Sequence, residues 1–363
     1  MSIRVSGLRK TFGAVTAVDR LSLEIPQGQM LVLLGPSGCG KTTTMRCIAG
    51  LDRPDEGAIS IAGTTVFDAG KTNVPVNKRN IGMVFQSYAI WPHMTVFDNV
   101  AFPLKVNNLA RSEITVRVEE MLKQVGLSDL SQRGASYLSG GQMQRVALAR
   151  SLVMRPSVLL FDEPLSNLDA RLRDRLRIQL RELQTQFKIT AVYVTHDQHE
   201  ALALADQIAV MYRGDVLQLT DPVSIYSQPK SSTVADFLGY SNIFRVVDRK
   251  QQSAGCWVQL EGNSVSLVAM NAPPESHGDI FACIRPEDIL VAPIDSKAGR
   301  LDNNLSGDVI LASFMGSFMQ YRVRISDSAI FEITSPRITS EIKFGDHVCL
   351  TIPPQSIRLL PSL

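Results

Sequence analysis

Residues 30–43 read MLVLLGPSGCGKTT, and this stretch carries the fold assignment. Its first five residues form an unbroken apolar run, which suits a short strand covered on both faces. Gly35-Pro-Ser-Gly-Cys-Gly-Lys-Thr42 follows at once and fits G-x-x-x-x-G-K-[ST], with a helix expected to open near Lys41. Gly35, Gly38 and Gly40 let the backbone curl. Ser37, Cys39 and Thr43 add N–H groups to an anion-binding nest, Pro36 lies in the same loop without an N–H to give, and the helix N-terminus adds positive partial charge. Lys41 is expected to reach the β- and γ-phosphates of a nucleotide, and the Thr42 hydroxyl to ligate Mg2+. The bland alternative is a glycine turn before a helix. A strand on one flank and a helix on the other argue against it.

A phosphate loop needs a second magnesium ligand at a strand end. Residues 157–164, SVLLFDEP, supply one, because the apolar run carries Asp162 to the sheet edge. Glu163 stands next to it, where water must attack a γ-phosphate, and would serve as general base or water orienter. Otherwise the two acids only cap the helix that follows. His196, just past AVYVT, is placed to hydrogen-bond the γ-phosphate from a third edge; taken alone, that histidine decides nothing.

Working outward, buried strands at 30–34, 157–161 and 191–194 alternate with amphipathic helices up to about Gly239. One helix is expected to start at Ser112 as N-cap and end near Gly126, with Ile114, Val118, Met121, Leu122 and Val125 on one face. Another starts near Asp169 and places Leu172, Leu176, Leu180, Leu183 and Phe187 at helical spacing. The alternation predicts an α/β domain with a mainly parallel sheet. After Ser241 the texture changes. Val265 and Leu267, then Tyr321, Val323 and Ile325, alternate with Ser266, Arg322 and Arg324, as half-buried strands do, and turn-rich segments fall at 271–274 and 302–304. The expected organisation is residues 1–240, with a helical subdomain at about 95–155, and a smaller all-β domain, barrel or sandwich, at 241–363.

The bulk numbers agree with two domains. The chain has 363 residues, 45% hydrophobic and 20% charged, with 37 basic against 35 acidic side chains for a net +2. That balance argues against a surface built to coat nucleic acid. Five scattered cysteines without a C-x-x-C pair disfavour a disulfide framework or a zinc site and favour a reducing compartment. No apolar run approaches the roughly 20 residues of a membrane helix, and MSIRVSGLRK holds no apolar stretch of the kind a signal peptide needs, so none is expected. Cys39 lies beside Lys41 at a helix N-terminus, which is expected to favour its thiolate.

These readings leave kinases, GTPases and motors open. Leu138-Ser-Gly-Gly-Gln142, extended as LSGGQMQRVALAR, resembles the signature motif of ATP-binding-cassette (ABC) proteins. With GPSGCGKTT, LLFDEP, Ser166-Asn-Leu-Asp169 and Thr195-His-Asp197 it stands in that family's order. Gln86, in Val84-Phe-Gln-Ser-Tyr88, resembles the family's glutamine loop. The motifs cover roughly the first two thirds of the chain.

The resemblance implies a P-loop NTPase cassette that binds ATP and Mg2+ and works as a head-to-tail homodimer. Each ATP would lie between one phosphate loop and the other chain's Ser139, Gly140, Gly141 and Gln142. By matching position, Lys41, Glu163, His196 and Gln86 are the catalytic set, and Thr42, Asp162 and Gln86 the metal set. Asp169 closes the loop that communicates across the dimer. An aromatic in the first strands stacks on adenine in this family, and Phe12 is the candidate, against a plain core phenylalanine.

Tyr88, Trp91 and Met94 suit the groove that receives a permease's coupling helix, or else pack inside the helical subdomain. The last third resembles the OB-like (TOBE) appendix of importer ATPases for sugars, polyamines, sulfate and ferric iron. The residues carrying that likeness are Ile284-Arg-Pro-Glu-Asp288 and Phe344-Gly-Asp. Cys283 and Asn167 depart from the common pattern. The implied partners are two integral-membrane permease subunits and a periplasmic or lipid-anchored solute-binding protein, with the chain peripheral on the cytoplasmic face of the inner membrane. Ferric iron or a polyamine stands ahead of sugar or sulfate as cargo. No nucleic acid is expected; the rival reading is a soluble ABC ATPase acting on nucleic acid or ribosomes.

Overall fold

The first unit is laid on eleven strands: β1 (Ile3–Phe12), β2 (Val15–Ile25), β3 (Met30–Leu34), β4 (Glu56–Ile61), β5 (Thr64–Asp68), β6 (Thr72–Asn73), β7 (Ile81–Val84), β8 (Val158–Asp162), β9 (Thr190–Thr195), β10 (Gln207–Tyr212) and β11 (Asp215–Thr220). The structure, a computed structural model, describes residues 2–252, 255–262, 265–271, 278–294, 303–338 and 341–363. The chain divides into two units, Met1–Ile225 and Tyr226–Leu363.

Six strands of the first unit form one sheet in the order β11-β10-β3-β9-β8-β7, parallel from β10 to β7 and edged by antiparallel β11. β3 and β9 are buried at every position, as their unalternated apolar sequences require. The other five strands form an antiparallel sheet, β2-β1-β4-β5-β6. Ile3 and Val5 of β1 alternate inward, Leu8 returns inward past a register shift, and all three share a core with Leu31, Leu33, Leu160 and Val192 of the parallel sheet. Met45 and Ile48 of α1 (Lys41–Ala49) join the same core.

Strands and helices alternate as expected. α2 (Val96–Val106), α3 (Arg111–Gln124) and α4 (Gly140–Leu152) pack on one another as a helical group between β7 and β8. α5 (Ala170–Phe187) and α6 (Gln198–Leu204) flank β9. In α3 the buried residues are Ile114, Val118, Met121 and Leu122; Val125 is buried just after it, and Gly126 follows at φ 67°. Its start differs from the expectation. Ala110, not Ser112, is the N-cap, because the Ala110 carbonyl already accepts from Ile114 N and leaves Ser112 inside the first turn. Asp169 caps α5, its carboxylate accepting from Leu172 N at 2.9 Å, and Leu176, Leu180 and Leu183 are buried.

The second unit is all-β among its described residues apart from short helical turns. Two five-stranded antiparallel sheets enclose one core containing Val258, Ala282, Tyr321, Phe331 and Leu350. Val265, Leu267, Tyr321 and Val323 face inward, while Ser266, Arg322 and Arg324 face out, the alternation read from the sequence. Of the two turn-rich segments, residues 272–274 and 302 lie outside the described residues. Arg285 anchors the start of this unit: its guanidinium donates to Leu238 O and Tyr226 O and lies on the rings of Tyr226 and Tyr240.

Candidate nucleotide site

β3, β9 and β8 are neighbours, and their registers pair Leu34 with Thr195 and Asp162 with Val194. The segments that leave their C-terminal ends are therefore brought together at one sheet edge, where open α/β sheets bind ligands. These segments are the Gly35 loop, Asp162–Glu163 and His196.

The loop after β3 turns on Gly35 (φ 155°), Gly38 (80°) and Gly40 (105°) and opens α1 at Lys41. A Cβ at Gly40 would lie 2.3 Å from Ala17 O, and one at Gly35 2.2 Å from Met211 O, so backbone approach requires glycine at both. Lys41 is only 5% exposed; its ammonium donates to Gly35 O at 2.7 Å and to Pro36 O at 2.9 Å, inside the curl of the loop. Ser37 and Gly38 stand exposed at the tip, and Thr42 and Thr43 are half-buried at the start of α1.

Cys39 departs from the expectation of an activated thiolate. Its sulfur is 3.8 Å from the Lys41 ammonium, but the side chain is buried, and burial raises the thiol above its ordinary range by more than Lys41 lowers it.

Thr42 Oγ1 donates to Asp162 Oδ1 at 3.2 Å. Burial, ahead of every other influence, pushes the Asp162 carboxyl above the usual carboxylate range. A hydroxyl and a carboxylate converging beside a phosphate loop are hard oxygen donors of the kind Mg2+ takes. No group of three or more His, Cys, Asp or Glu that would hold a metal by itself occurs among the described residues. The residues fit the ion.

Glu163 sits at φ 43°, a left-handed conformation uncommon for glutamate, and its N–H donates to Val194 O at 3.2 Å. That turn aims the side chain at His196, whose Nδ1 lies 3.2 Å from Glu163 Oε2. Behind the pair, Glu200 is buried and accepts from Tyr193 OH and Thr195 Oγ1, both at 2.8 Å. Burial raises the Glu200 carboxyl, and those two donors lower it by less.

Gln86 follows β7 at the next strand over. Its side-chain amide donates to Ser166 Oγ at 3.2 Å, Ser166 Oγ donates to Glu163 O at 2.9 Å, and Asn167 Nδ2 donates to Gln86 O at 3.1 Å. The Gln86 amide thus bonds to the loop before α5, not to the Thr42–Asp162 pair. Ser166 and Asn167 carried no assignment in the sequence, although both sit inside Ser166-Asn-Leu-Asp169. Only a position next to the Glu163 turn would have singled them out.

Ser139 is the N-cap of α4, with its N–H donating to Gln142 Oε1 at 2.9 Å. A Cβ on Gly141 would come within 3.0 Å of the Leu172 methyls, so this glycine lets α4 close on the start of α5. No hydrogen bond or ion pair joins residues 139–142 to the phosphate loop among the described residues. Phe12 is 51% exposed with the Lys10 ammonium 5.1 Å from its ring, which is not a core position. Tyr88 is buried, whereas Trp91 and Met94 are half-buried; Trp91 packs on Phe102 with ring centroids 4.4 Å apart.

The ABC transporter family profile matches residues 18–166, and the TOBE domain profile residues 282–360. The chain is 44% identical over 331 residues to the Fe(3+) ions import ATP-binding protein FbpC of Rhizobium etli, covering 91% of this chain and 90% of that one. It is 40% identical over 359 residues to the protein of that name from Brucella abortus, covering 99% and 98%. Among solved structures, cbiO1 from Clostridium perfringens, part of the ABC transporter complex cbiONQ, superposes with TM-score 0.57 at 28% identity over 64% of this chain and 92% of that one. No helix of the described residues is long and apolar enough to cross a membrane. Cassette motifs at one sheet edge, an all-β second unit and full-length relatives lead to one statement: the chain belongs to the family of ABC transporter ATP-binding proteins.

Proposed function

We propose that this chain is the ATP-hydrolysing subunit of a membrane-associated importer, and that its cargo is ferric iron. The observation that carries the chemistry is the convergence of Lys41, Thr42, Asp162, Glu163 and His196 on adjacent strand ends. Residues 37–43 would wrap the phosphates with main-chain N–H groups, and Lys41 would exchange its two carbonyl partners for β- and γ-phosphate oxygens. Mg2+, when bound by Thr42 and Asp162, would neutralise phosphate charge. Glu163 would take hydrogen-bond hold of the attacking water, and His196 would steady Glu163 and the γ-phosphate. Phe12, exposed at the end of β1, would carry the base.

The chain would act as a homodimer in which residues 139–142 of one protomer face the ATP of its partner, with Asp169 at that contact. Two permease subunits and a solute-binding protein complete the assembly. Iron is favoured because the full-length relatives reported above bear that name, at 40–44% identity. The test is reconstitution with the chain's own permease in liposomes. ATPase activity should rise when a ferric-iron-loaded binding protein is added; stimulation only by a polyamine- or sugar-loaded one would overturn the cargo, and absence of any MgATP hydrolysis the whole reading.

A further inference from the structure

The segment between β7 and α2 holds two consecutive non-glycine residues in the left-handed region, Tyr88 (φ 60°) and Ala89 (φ 48°). Such a pair persists only where surrounding contacts impose it. Tyr88 N donates to Phe85 O at 2.9 Å and its ring is buried, and one further side chain holds both carbonyls of the pair. Arg150, on the last turns of α4, donates from Nη1 to Ala89 O at 2.7 Å and from Nη2 to Tyr88 O at 2.9 Å. Its guanidinium also lies 4.6 Å from the centroid of the Trp91 ring.

Asn99 fixes the far end of the segment, accepting from Trp91 N at 3.0 Å and donating to Trp91 O at 3.1 Å. The neighbouring Ser151 donates to Met83 O in β7 at 2.8 Å, so α4 grips both the strand before Gln86 and the turn after it. Arg150 is half-buried and has no acidic partner among the described residues. A cation held that way is costly unless its donors are used, and here they are used on backbone that would otherwise relax.

We propose that Arg150 is a positioning residue for hydrolysis: from α4 it locks the turn after Gln86 in its left-handed form and so sets the Gln86 amide against Ser166 beside Glu163. The inference rests on the ATPase role proposed above. It also joins the glutamine segment to the helix whose N-cap is Ser139. The planar fork puts a separate nitrogen on each carbonyl and a flat face against the Trp91 ring, an arrangement that the single ammonium of a lysine at position 150 would not reproduce.

The experiment is a comparison in the full chain of wild type, Arg150→Lys, Ala89→Gly and the double variant. Arg150→Lys should lower kcat for MgATP about tenfold while KM stays within about twofold, the mark of misplacement and not of lost binding. In a Trp257→Phe background, where Trp91 is the remaining tryptophan, its emission should shift with Arg150→Lys. Glycine adopts the left-handed form without strain, so Ala89→Gly in the Arg150→Lys chain should restore at least about half of kcat. Unchanged kcat in Arg150→Lys would overturn the proposal, as would a loss that Ala89→Gly does not restore. Should Arg150→Lys alone not fold, a folded but inactive double variant would overturn it equally. A wild-type chain without ATPase activity would instead overturn the functional reading and this inference together.

Discussion

His196 Nδ1 lies 3.2 Å from Glu163 Oε2, across the ends of two paired parallel strands. The contact depends on Glu163 holding φ 43° immediately after β8, so that a residue one step past Asp162 faces sideways towards β9. If Glu163 orients the attacking water, Glu163→Gln should cut MgATP turnover by about 100-fold or more with nucleotide affinity kept, because the phosphate loop is untouched. ATP should then hold the variant as a dimer in size exclusion. Near-normal turnover would remove Glu163 from the catalytic set. Lys41→Ala should act oppositely, costing about 2 kcal/mol or more of MgATP affinity through the lost charge-assisted bonds.

Phe12 is exposed at the end of β1, and a side chain so placed contributes little to the core. Phe12→Ala should therefore shift stability by less than about 0.5 kcal/mol. If the ring carries the base, the same change should cost roughly 1–3 kcal/mol of nucleotide affinity, equally for ATP and GTP, since stacking reads a face and not an edge. Fluorescence titration with both nucleotides separates these outcomes. Unchanged affinity would return Phe12 to the surface.

Some of this was legible in the sequence and some was not, for physical reasons. The run at residues 30–34 had to be a buried strand and Gly35–Thr42 its phosphate loop, because both are local patterns with one consistent reading. Period-2 alternation at Tyr321 and Val323 likewise reported a half-buried strand. The Gln86–Ser166 and Asn167–Gln86 contacts span about eighty positions and depend on side-chain rotamers, which no local pattern encodes. Ser112 misled because its residue type suits a cap, whereas the backbone turns into the helix two residues earlier. Cys39 misled because a neighbouring cation is visible in sequence and the depth of burial is not.

Cys39 has its thiol raised by burial despite Lys41, so at neutral pH the thiolate is scarce. Alkylation by iodoacetamide should be slower than for a free cysteine. Its rate should climb with pH up to and beyond the ordinary thiol range near 9, since the reactive form appears only as the raised pKa is approached. MgATP should slow it further, and Cys39→Ser should hydrolyse ATP yet resist the reagent. Fast, pH-independent modification at neutral pH would show that Lys41 prevails over burial after all.

Arg285 is 6% exposed, with Tyr226 and Tyr240 ring centroids 3.3 and 4.1 Å from its guanidinium carbon. Arg285→Met keeps bulk but removes the two main-chain bonds and both ring contacts. It should destabilise the second unit by about 3 kcal/mol. Trp257, on a strand of that unit, should report an earlier melt by fluorescence, while MgATP affinity stays within about twofold. A melt unchanged by the substitution would deny Arg285 its anchoring role.

The same anchor decides where the chain can be cut. Every residue proposed for chemistry lies between Phe12 and His196, inside the unit that ends at Ile225. A chain ending at Ile225 should therefore bind and hydrolyse MgATP. It should also lose affinity for its twin, if the β units of two protomers touch. A chain ending at Tyr240, where the composition shifts, keeps Tyr226, Leu238 and Tyr240 but not Arg285. Leu238 and Tyr240 are buried in the intact protein, and losing their cover exposes apolar surface worth roughly 1.5–3 kcal/mol for each large side chain. That longer chain should hydrolyse ATP as well, yet self-associate more readily than the shorter one. Light scattering alongside ATPase rates distinguishes the two chains. If the Ile225 chain folds but does not bind MgATP, the second unit contributes to the nucleotide site and the partition of chemistry proposed here is wrong.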